Sequence, residues 1–387
     1  MSFGMNTTRN NPETPSRLRA IDWPLFFSTL PILALGLVTM YSFTGRSEFF
    51  GKQLVWIAVS FALFFIGSFI DWRFLRRSDV LFVLFLAGSA ALILLFISGK
   101  TVRGAQSWFD FGPVSIQPVE PIKLLLILIL AKYFSRRHIE IAHIRHILIS
   151  AVYAGILFLL VLLQPDFGGA IVIFCIWLGM VLLSGISKKH LLAVFLIGLT
   201  SFMFLWTFVF KEYQKQRLIT FIHPLTDVRG SGYNAYQSMI AVGSGGLFGK
   251  GVGLGSQSRL KFLPEYETDF MFAAFAEEWG FVGVVVLFGC YALLFWRILH
   301  NALHGRSNFE ILYGLGLAIF IMSHFVIHVG MNLGLLPVTG ITIPFMSYGG
   351  THLATLYMGL GILMGQRAYS RAAHKETTQN EFLSITQ

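Results

Sequence analysis

The sequence predicts an all-α polytopic membrane protein with about ten transmembrane helices and one long external loop. Of its residues, 55% are hydrophobic and only 12% are charged, and the mean hydropathy is +0.69. Soluble domains carry about 25% charged residues. Ten apolar segments have about the length that a helix needs to cross the hydrocarbon core. They cover residues 24–43, 53–70, 79–98, 118–134, 147–165, 169–185, 191–210, 269–296, 309–330 and 346–366.

These segments divide the chain into a tail, a membrane domain and a second tail. Residues 1–23 are polar, and no small-residue cleavage site follows, so we interpret segment 24–43 as an uncleaved first helix rather than a signal peptide. The membrane domain covers residues 24–367 and includes the external loop 211–268. Residues 368–387 form the C-terminal tail.

The distribution of positive charge predicts which side of the membrane each loop faces. In a soluble protein a formal net charge of +10 would suggest a nucleic-acid partner, but here we expect none because the cations cluster in short loops on one side. Lys and Arg accumulate in cytoplasmic loops, so both termini are predicted to be cytoplasmic. That side holds Arg73, Arg76, Arg77, Lys132, Arg136, Arg137, Arg145, Lys188, Lys189, Arg297, Arg306, Arg367, Arg371 and Lys375, and the other short loops hold Arg46, Lys52, Lys100 and Arg103.

Two blocks of the chain are unusual for a membrane protein. They read FLPEYETDFMFAAFAEEWG over residues 262–280 and GMNLGLLPVTGITIPFMSYGG over residues 330–350. Polar and irregular sequence at membrane depth has to be held by protein contacts, and it often marks function. Asp269 lies where the external loop enters the eighth span, and a partly desolvated carboxylate there can act as a general base. The alternative is that Thr268 or Asp269 caps the helix.

Three further charged residues lie near the ends of spans. Glu120 and Lys123 are three residues apart and share one helix face. Each would cost about 2.5–3.5 kcal/mol at a lipid-facing helix centre, so both are expected to face a cavity or a partner. They form either a structural ion pair or a phosphate-binding group. Asp166, in QPDFGG, is consistent with a simple turn residue.

A glycine-rich stretch, GSGGLFGKGVGLGSQ over residues 243–257, does not have the spacing of a phosphate-binding P-loop. Its backbone N–H groups can still bind an anion, with Lys250 and Arg217 assisting a pyrophosphate or sugar. The alternative is a purely structural loop. His324 and His328 share a helix face but have no third metal ligand in the sequence pattern, so we interpret them as polar packing groups.

Five blocks in order resemble the SEDS family of bacterial cell-wall proteins, which includes RodA and FtsW. They are GAQSWFDFGPVSIQPVEPIKL (104–124), QPDFGGA (164–170), the stretch 217–257, FLPEYETDFMFAAFAEEWG (262–280) and GLLPVTGITIPFMSYGG (334–350). The resemblance implies a ten-helix peptidoglycan glycosyltransferase at the outer face of the cytoplasmic membrane. It implies lipid II and undecaprenyl-linked glycan as substrates and a class B penicillin-binding protein as partner. The match places the family's presumed catalytic Asp at Asp269, and it makes Asp166 a candidate substrate-binding residue.

The resemblance also bears on cofactors and role. A divalent cation, Mg²⁺ or Mn²⁺, is expected at a site that releases pyrophosphate, with ligands unknown, and no organic cofactor is expected. The sequence leans toward RodA, which implies a role in cell elongation. Two alternatives remain open: a flippase for the lipid-linked precursor, and a non-catalytic scaffold for the penicillin-binding protein.

The chain departs from the common family pattern in four places, the last of which covers two residues. Ser107 stands where Arg is usual, Val119 replaces a Ser, Glu267 replaces a His, and the motif SYGGSS ends here in Thr351 and His352.

Overall fold

The computed structural model describes residues 21–385 except 45–47, 103–104, 113, 136–143, 209, 211–214, 216–217, 222–230 and 261. Helices occupy every one of the ten predicted spans, so the all-α polytopic fold is confirmed. The long helices are α1 (Trp23–Thr44), α2 (Glu48–Phe69), α3 (Ser78–Ser98), α4 (Val119–Ser135), α5 (Ile144–Leu163), α6 (Phe167–Leu183), α7 (Lys188–Phe208), α10 (Met271–Leu303), α11 (Asn308–Asn332) and α12 (Gly350–Ile385).

Not all of these helices are equally apolar. Within the described residues, seven are long and apolar enough to cross a membrane: α1, α2, α3, α5, α7, α10 and α11. Helices α4 and α6 have 17 residues each. Helix α12 has polar residues at both ends of its apolar stretch and runs on to Ile385, so the backbone of the predicted C-terminal tail is helical.

The structure contains small elements that hydropathy did not predict. Between α3 and α4, three short strands form an antiparallel sheet in the order β1-β2-β3. The loop 211–268, predicted to be external, contains α8 (Ser231–Ser244) and a single turn α9 (Ser256–Arg259), so it is more structured than the sequence suggested. The strands are β1 (Lys100–Val102), β2 (Ala105–Asp110) and β3 (Ser115–Ile116), and a short 3-10 helix lies at Trp72–Arg76.

Helix α11 lies at the centre of the bundle, where it packs against α4, α6, α10 and α12. Helices α2 and α12 pack closely side by side, and a Cβ on Gly67 would lie 3.2 Å from the Cα of Gly361. Small residues at such a crossing let two helix backbones approach, which is the usual way that helices associate in a membrane. By contrast, no residue in the apolar window of α7 is buried, so this helix lies at the outside of the bundle.

Helix α10 is broken at Gly280, whose backbone has φ 64° and ψ −168°. The glycine-rich stretch satisfies the backbone groups that the break releases. Lys250 N–H donates to the Glu277 carbonyl at 2.9 Å, and Phe281 N–H donates to the Gly246 carbonyl at 2.9 Å. Unpaired backbone groups are costly at membrane depth. The glycine-rich stretch, residues 243–257, therefore stabilises the broken helix, and we call it the splint.

The start of α1 and the far end of the α12 span meet in one buried ion cluster. Asp22 accepts hydrogen bonds from Arg297 at 2.6 Å, Asn301 at 2.7 Å and Arg367 at 2.8 Å. Burial raises the pKa of the Asp22 carboxyl, but the bonds from Arg297 and Asn301 and the charge of Arg367 outweigh it and leave that pKa below its ordinary value. The first and last spans therefore begin and end on the same side.

Candidate active site

The acidic block before α10 folds as a run of turns. The N–H groups of Thr268, Asp269 and Phe270 all donate to the carbonyl of Glu265, at 3.1, 2.9 and 3.1 Å. The N-cap of α10 is Phe270, which makes no side-chain capping bond. Neither Thr268 nor Asp269 therefore occupies the capping position that was the structural alternative for them.

The second unusual block lies directly against the first. The Tyr348 N–H donates to the Glu267 carbonyl at 2.9 Å, and the Ser347 hydroxyl donates to the Thr268 carbonyl at 2.8 Å. These residues are about 80 positions apart in the chain. The fold thus brings the two polar blocks of the sequence together at one end of the bundle.

Asp269 is held from two sides. Its backbone carbonyl accepts a hydrogen bond from the Asn332 side-chain amide at 3.1 Å. Its carboxylate lies over Gly340, where a Cβ would be 3.6 Å from Oδ2. Gly340 has φ +75°, a conformation that glycine adopts without strain. The side chain of Asp269 is only partly buried, which leaves a carboxylate that is positioned and still reachable.

Glu120 and Lys123 form an ion pair, one of the two alternatives that their spacing left open. Lys123 Nζ lies 2.6 Å from Glu120 Oε1, and the two side chains are 1% and 6% exposed. The ammonium also lies 5.5 Å from the centroid of the Phe320 ring, a distance at which a cation–π attraction operates. Both charges face the interior of the bundle rather than lipid, as their cost in hydrocarbon requires.

Two histidines extend this pair into a cluster. His324 Nε2 lies 3.0 Å from Lys123 Nζ, and His352 Nδ1 lies 2.7 Å from Glu120 Oε2. The two imidazole rings stack with centroids 4.3 Å apart. His324 Nδ1 lies 3.2 Å from the Thr342 carbonyl, so that nitrogen carries the proton and Nε2 accepts from Lys123.

Asp166 lies at the edge of the same cluster. It is the N-cap of α6, where its carboxylate accepts from Gly169 N–H at 2.7 Å and from the Gln117 amide at 3.1 Å. The Gln117 N–H in turn donates to the hydroxyl of Thr351 at 3.3 Å. Burial raises the pKa of the Asp166 carboxyl, although the Gly169 bond and the charge of Lys123 act against it. A helix-capping role and a substrate-binding role are compatible here.

The segment 340–352 forms the common wall of the two polar features. Its beginning supports the Asp269 carboxylate, its Thr342 carbonyl binds His324, and its end carries His352 against Glu120. Asp269 and the buried cluster around Glu120 and Lys123 therefore both border the segment 340–352.

Lys250 and Arg217 were also predicted to contact substrate. Lys250 Nζ lies 2.8 Å from Glu277 Oε1 and 2.8 Å from the Ser256 hydroxyl. This pair belongs to the splint beside the break in α10, and a substrate contact for Lys250 stays a prediction. Arg217 lies outside the described residues, so its role stays a prediction as well.

Glu277 and Glu278 are adjacent in α10 and have separate partners, because adjacent residues on a helix point in different directions. Glu277 binds Lys250, whereas Glu278 accepts from the Ser42 hydroxyl at 2.6 Å and from the Gly253 N–H at 2.6 Å. Both therefore act in holding the glycine-rich stretch and α1 against α10.

Sequence reasoning missed the place of the two cluster histidines. His324 was paired with His328, but His328 Nδ1 binds the Ile341 carbonyl at 2.6 Å and packs as expected. Within the described residues, one group of three side chains converges as metal ligands do: Glu120, His324 and His352. No local signal exists for it, because the three residues lie on three different helices.

This donor set does not suit Mg²⁺, one of the two ions expected from the sequence. Mg²⁺ takes oxygen ligands in octahedral geometry, whereas two of these three donors are imidazole nitrogens, which suit transition metals. The group therefore does not fit Mg²⁺.

Of the four departures from the family pattern, His352 has the clearest structural consequence, since it binds Glu120. Ser107 is buried, and its hydroxyl has no hydrogen-bond partner among the described residues. Val119 is buried in the first turn of α4. Glu267 is buried where its carbonyl receives the bond from Tyr348.

The fold and the site together define a class: a multi-pass helical membrane protein with a positioned carboxylate beside a buried polar cluster. The sequence matches the family described as "Cell cycle protein", that of FtsW, RodA and SpoVE, over residues 21–372. The chain belongs to this family, and the SEDS membership predicted from five sequence blocks is confirmed.

Similar proteins include two curated relatives and a solved assembly. Stage V sporulation protein E of Bacillus subtilis is 36% identical over 367 residues, covering 90% of this chain and 98% of that protein. Peptidoglycan glycosyltransferase MrdB of Escherichia coli is 37% identical over 285 residues, covering 73% and 76%. A chain from a peptidoglycan synthase complex that coordinates polymerization and crosslinking matches with TM-score 0.77 at 32% identity, covering 89% and 97%.

Proposed function

We propose that this protein is a peptidoglycan glycosyltransferase that polymerises lipid II at the outer face of the bacterial cytoplasmic membrane. The observation that carries the proposal is the position of Asp269. Its partly buried carboxylate lies over Gly340, beside the wall that also holds the buried Lys123–Glu120 pair. Family membership and the name of the relative MrdB support the same reaction class.

The reaction transfers the growing glycan from undecaprenyl pyrophosphate to the 4-hydroxyl of the GlcNAc of lipid II. Asp269 takes the proton of that hydroxyl while its oxygen forms a bond to the anomeric carbon of the donor MurNAc. The bond from that carbon to the pyrophosphate oxygen breaks, and undecaprenyl pyrophosphate leaves with the electron pair. A direct displacement of this kind inverts the anomeric centre. General-base catalysis contributes about 10²–10⁴-fold to such a step.

The remaining predicted site residues bind and orient the substrates. Lys123 supplies positive charge for the pyrophosphate, while Glu120 and Asp166 fix the cluster in which that charge is held. Lys250 and Arg217 are proposed to contact pyrophosphate or sugar from the external loop.

A divalent cation, Mg²⁺ or Mn²⁺, would neutralise part of the charge on the departing pyrophosphate. The group Glu120, His324 and His352 does not supply the oxygen ligands that Mg²⁺ requires. No step of the proposed reaction depends on the ion.

The polyprenyl chains of donor and acceptor lie in membrane lipid, so the reaction has to occur at the bilayer surface. We place both termini in the cytoplasm, because Lys and Arg accumulate in the loops on that side. A class B penicillin-binding protein is the proposed partner, and the similar chain in a peptidoglycan synthase complex supports it. The lean of the sequence toward RodA supports a role in elongation and cell shape.

The test is to incubate the purified protein with fluorescent lipid II and to separate the products on a gel. A ladder of glycan polymer is the expected result. A flippase would move lipid II across proteoliposome membranes without forming polymer. A scaffold would give polymer only in the presence of a partner that polymerises on its own. Either of those two outcomes would contradict the proposal.

A further inference from the structure

Glu120, His324 and His352 converge from three different helices. They lie on α4, α11 and α12, and one ligand atom from each lies within 4.8 Å of the others. The three residues are 5%, 2% and 5% exposed. Polar groups buried this deeply need partners, so their convergence in an apolar bundle requires a physical reason.

The hydrogen bonds orient the imidazoles in the way that metal sites do. His324 directs Nδ1 at the Thr342 carbonyl and so turns Nε2 toward the cluster. Histidine ligands are oriented by an outer-shell carbonyl of this kind. His352 is bound through one nitrogen only, and its buried Nε2 has no hydrogen-bond partner among the described residues. The cluster thus has more lone pairs than it has donors to satisfy them.

A cation already lies among these lone pairs. The Lys123 ammonium is 2.6 Å from Glu120 Oε1 and 3.0 Å from His324 Nε2, so it marks the place between carboxylate and imidazole where positive charge is stable. A metal ion bound there would take the lone pairs that the ammonium now uses. Ion and ammonium therefore exclude each other at this point.

We propose that Glu120, His324 and His352 form a binding site for a transition-metal ion, best fitted by Zn²⁺, which binds in exchange for the contacts of Lys123. Two imidazoles and one carboxylate are a common zinc donor set, with Zn–N and Zn–O distances of about 2.0–2.2 Å, and a fourth position remains open. The ion joins α4, α11 and α12 through one ligand atom from each residue. This inference does not depend on the proposed glycosyltransferase function, since it concerns binding alone.

Zinc binding is measured directly on the full-length protein in detergent, without a polyhistidine tag. After equilibration with Zn²⁺ and removal of excess ion, mass spectrometry of the metal content is expected to give one ion per chain. Titration with Co²⁺ supplies a second readout, because visible absorption bands report nitrogen and oxygen coordination. Zn²⁺ should also raise the melting temperature, since a ligand that binds only the folded state stabilises it.

Variants locate the site. His352→Ser and His324→Gln each remove one ligand and should weaken binding at least about tenfold. His328→Gln is the matched control, since His328 lies one turn from His324 on the same helix and belongs to another contact. Its binding should equal that of the unchanged protein.

Lys123→Met tests whether the ammonium and the metal ion compete for the same place. It removes the competing positive charge within about 4 Å of the ion and should tighten binding at least about tenfold. The variant also leaves Glu120 buried without its main partner, so its melting temperature should rise more on Zn²⁺ addition than that of the unchanged protein. Zinc at background level, equal binding by the His352→Ser and His324→Gln variants, or no gain in Lys123→Met would each overturn the proposal.

Discussion

Among single residues, Lys123 shows how a buried charge is stabilised inside this bundle by the polar and aromatic groups around it. Lys123 is 1% exposed and lies among apolar helices, where its ammonium meets the Glu120 carboxylate, the His324 nitrogen and the Phe320 ring. A buried ion pair is not a gain in itself, because desolvation offsets the attraction. Removing one partner, however, leaves the other charge uncompensated.

We therefore expect Lys123→Ala and Glu120→Ala each to lower stability by about 3–5 kcal/mol and the double variant to lose less than their sum. Thermal unfolding in detergent measures this. If the pair also serves the reaction, the double variant regains stability without activity. Full activity in a stable double variant would leave only a structural role for the pair, and additive losses would show that the two residues do not interact.

Asp269 gives the second prediction at this scale. Asp269→Asn should keep the fold and lower lipid II polymerisation at least about 10²-fold, because an amide cannot accept the proton of the acceptor hydroxyl. Glu265→Gln is the matched control: it removes an exposed carboxyl four residues away in the same loop. Polymerisation by the Asn variant within a few-fold of the unchanged protein would exclude the general-base role.

At the scale of elements, the broken helix α10 and its glycine-rich splint act as one unit. The carbonyls freed at the break accept N–H groups of the splint, and the N–H groups of Phe281 and Val282 find carbonyls there, at 2.9 and 3.0 Å. A break at membrane depth is tolerated only when its polar groups are satisfied in this way. The loop that precedes Asp269 is therefore anchored to the helix that follows it.

Gly280→Ala should disrupt the contact between the glycine-rich splint and α10. The conformation at Gly280 costs a side-chain residue about 1–3 kcal/mol, and a Cβ there would lie 2.1 Å from the backbone nitrogen of Gly249. We expect a clear fall in the melting temperature. Gly289→Ala, on the same helix with nothing within 4 Å of the added Cβ, should leave it unchanged or raise it slightly. An equal change of melting temperature in the two variants would contradict the stabilising role of the splint.

In the molecule as a whole, the ion cluster at Asp22 joins the first and last helices at one end of the bundle. It places the start of α1, the end of α10 and Arg367 of α12 on one side. The charge distribution of the loops predicts that this side is cytoplasmic and that α8 lies outside.

Cysteine labelling tests this orientation. In a chain with Cys175 and Cys290 replaced, Ser231→Cys should react with a membrane-impermeant thiol reagent in intact spheroplasts. His304→Cys, an exposed position at the opposite end of α10, should react only after permeabilisation. The reverse pattern would invert the topology.

Much of this architecture could be predicted from the sequence, because the patterns on which the prediction depends are local. A run of about 20 apolar residues needs no distant partner to be recognised as a span, and all ten helices lie where hydropathy placed them. The spacing of Glu120 and Lys123 is equally local, and the ion pair that this spacing allows is present. The short strands and α8 were missed, since segments of 2–14 residues carry weak periodicity.

From the sequence alone we could infer the class of protein, the spans, the family and the carboxylate at the entrance to the eighth span. The surroundings of that carboxylate became visible only in the folded chain. The sequence allowed two interpretations of the glycine-rich stretch, and the structure shows that this stretch packs against the break at Gly280. The sequence pattern also offered no third metal ligand beside His324, whereas in the structure Glu120 and His352 lie next to it. The physical reason is that hydrophobic length acts along the chain, whereas hydrogen bonds and ion pairs between helices depend on how those helices pack.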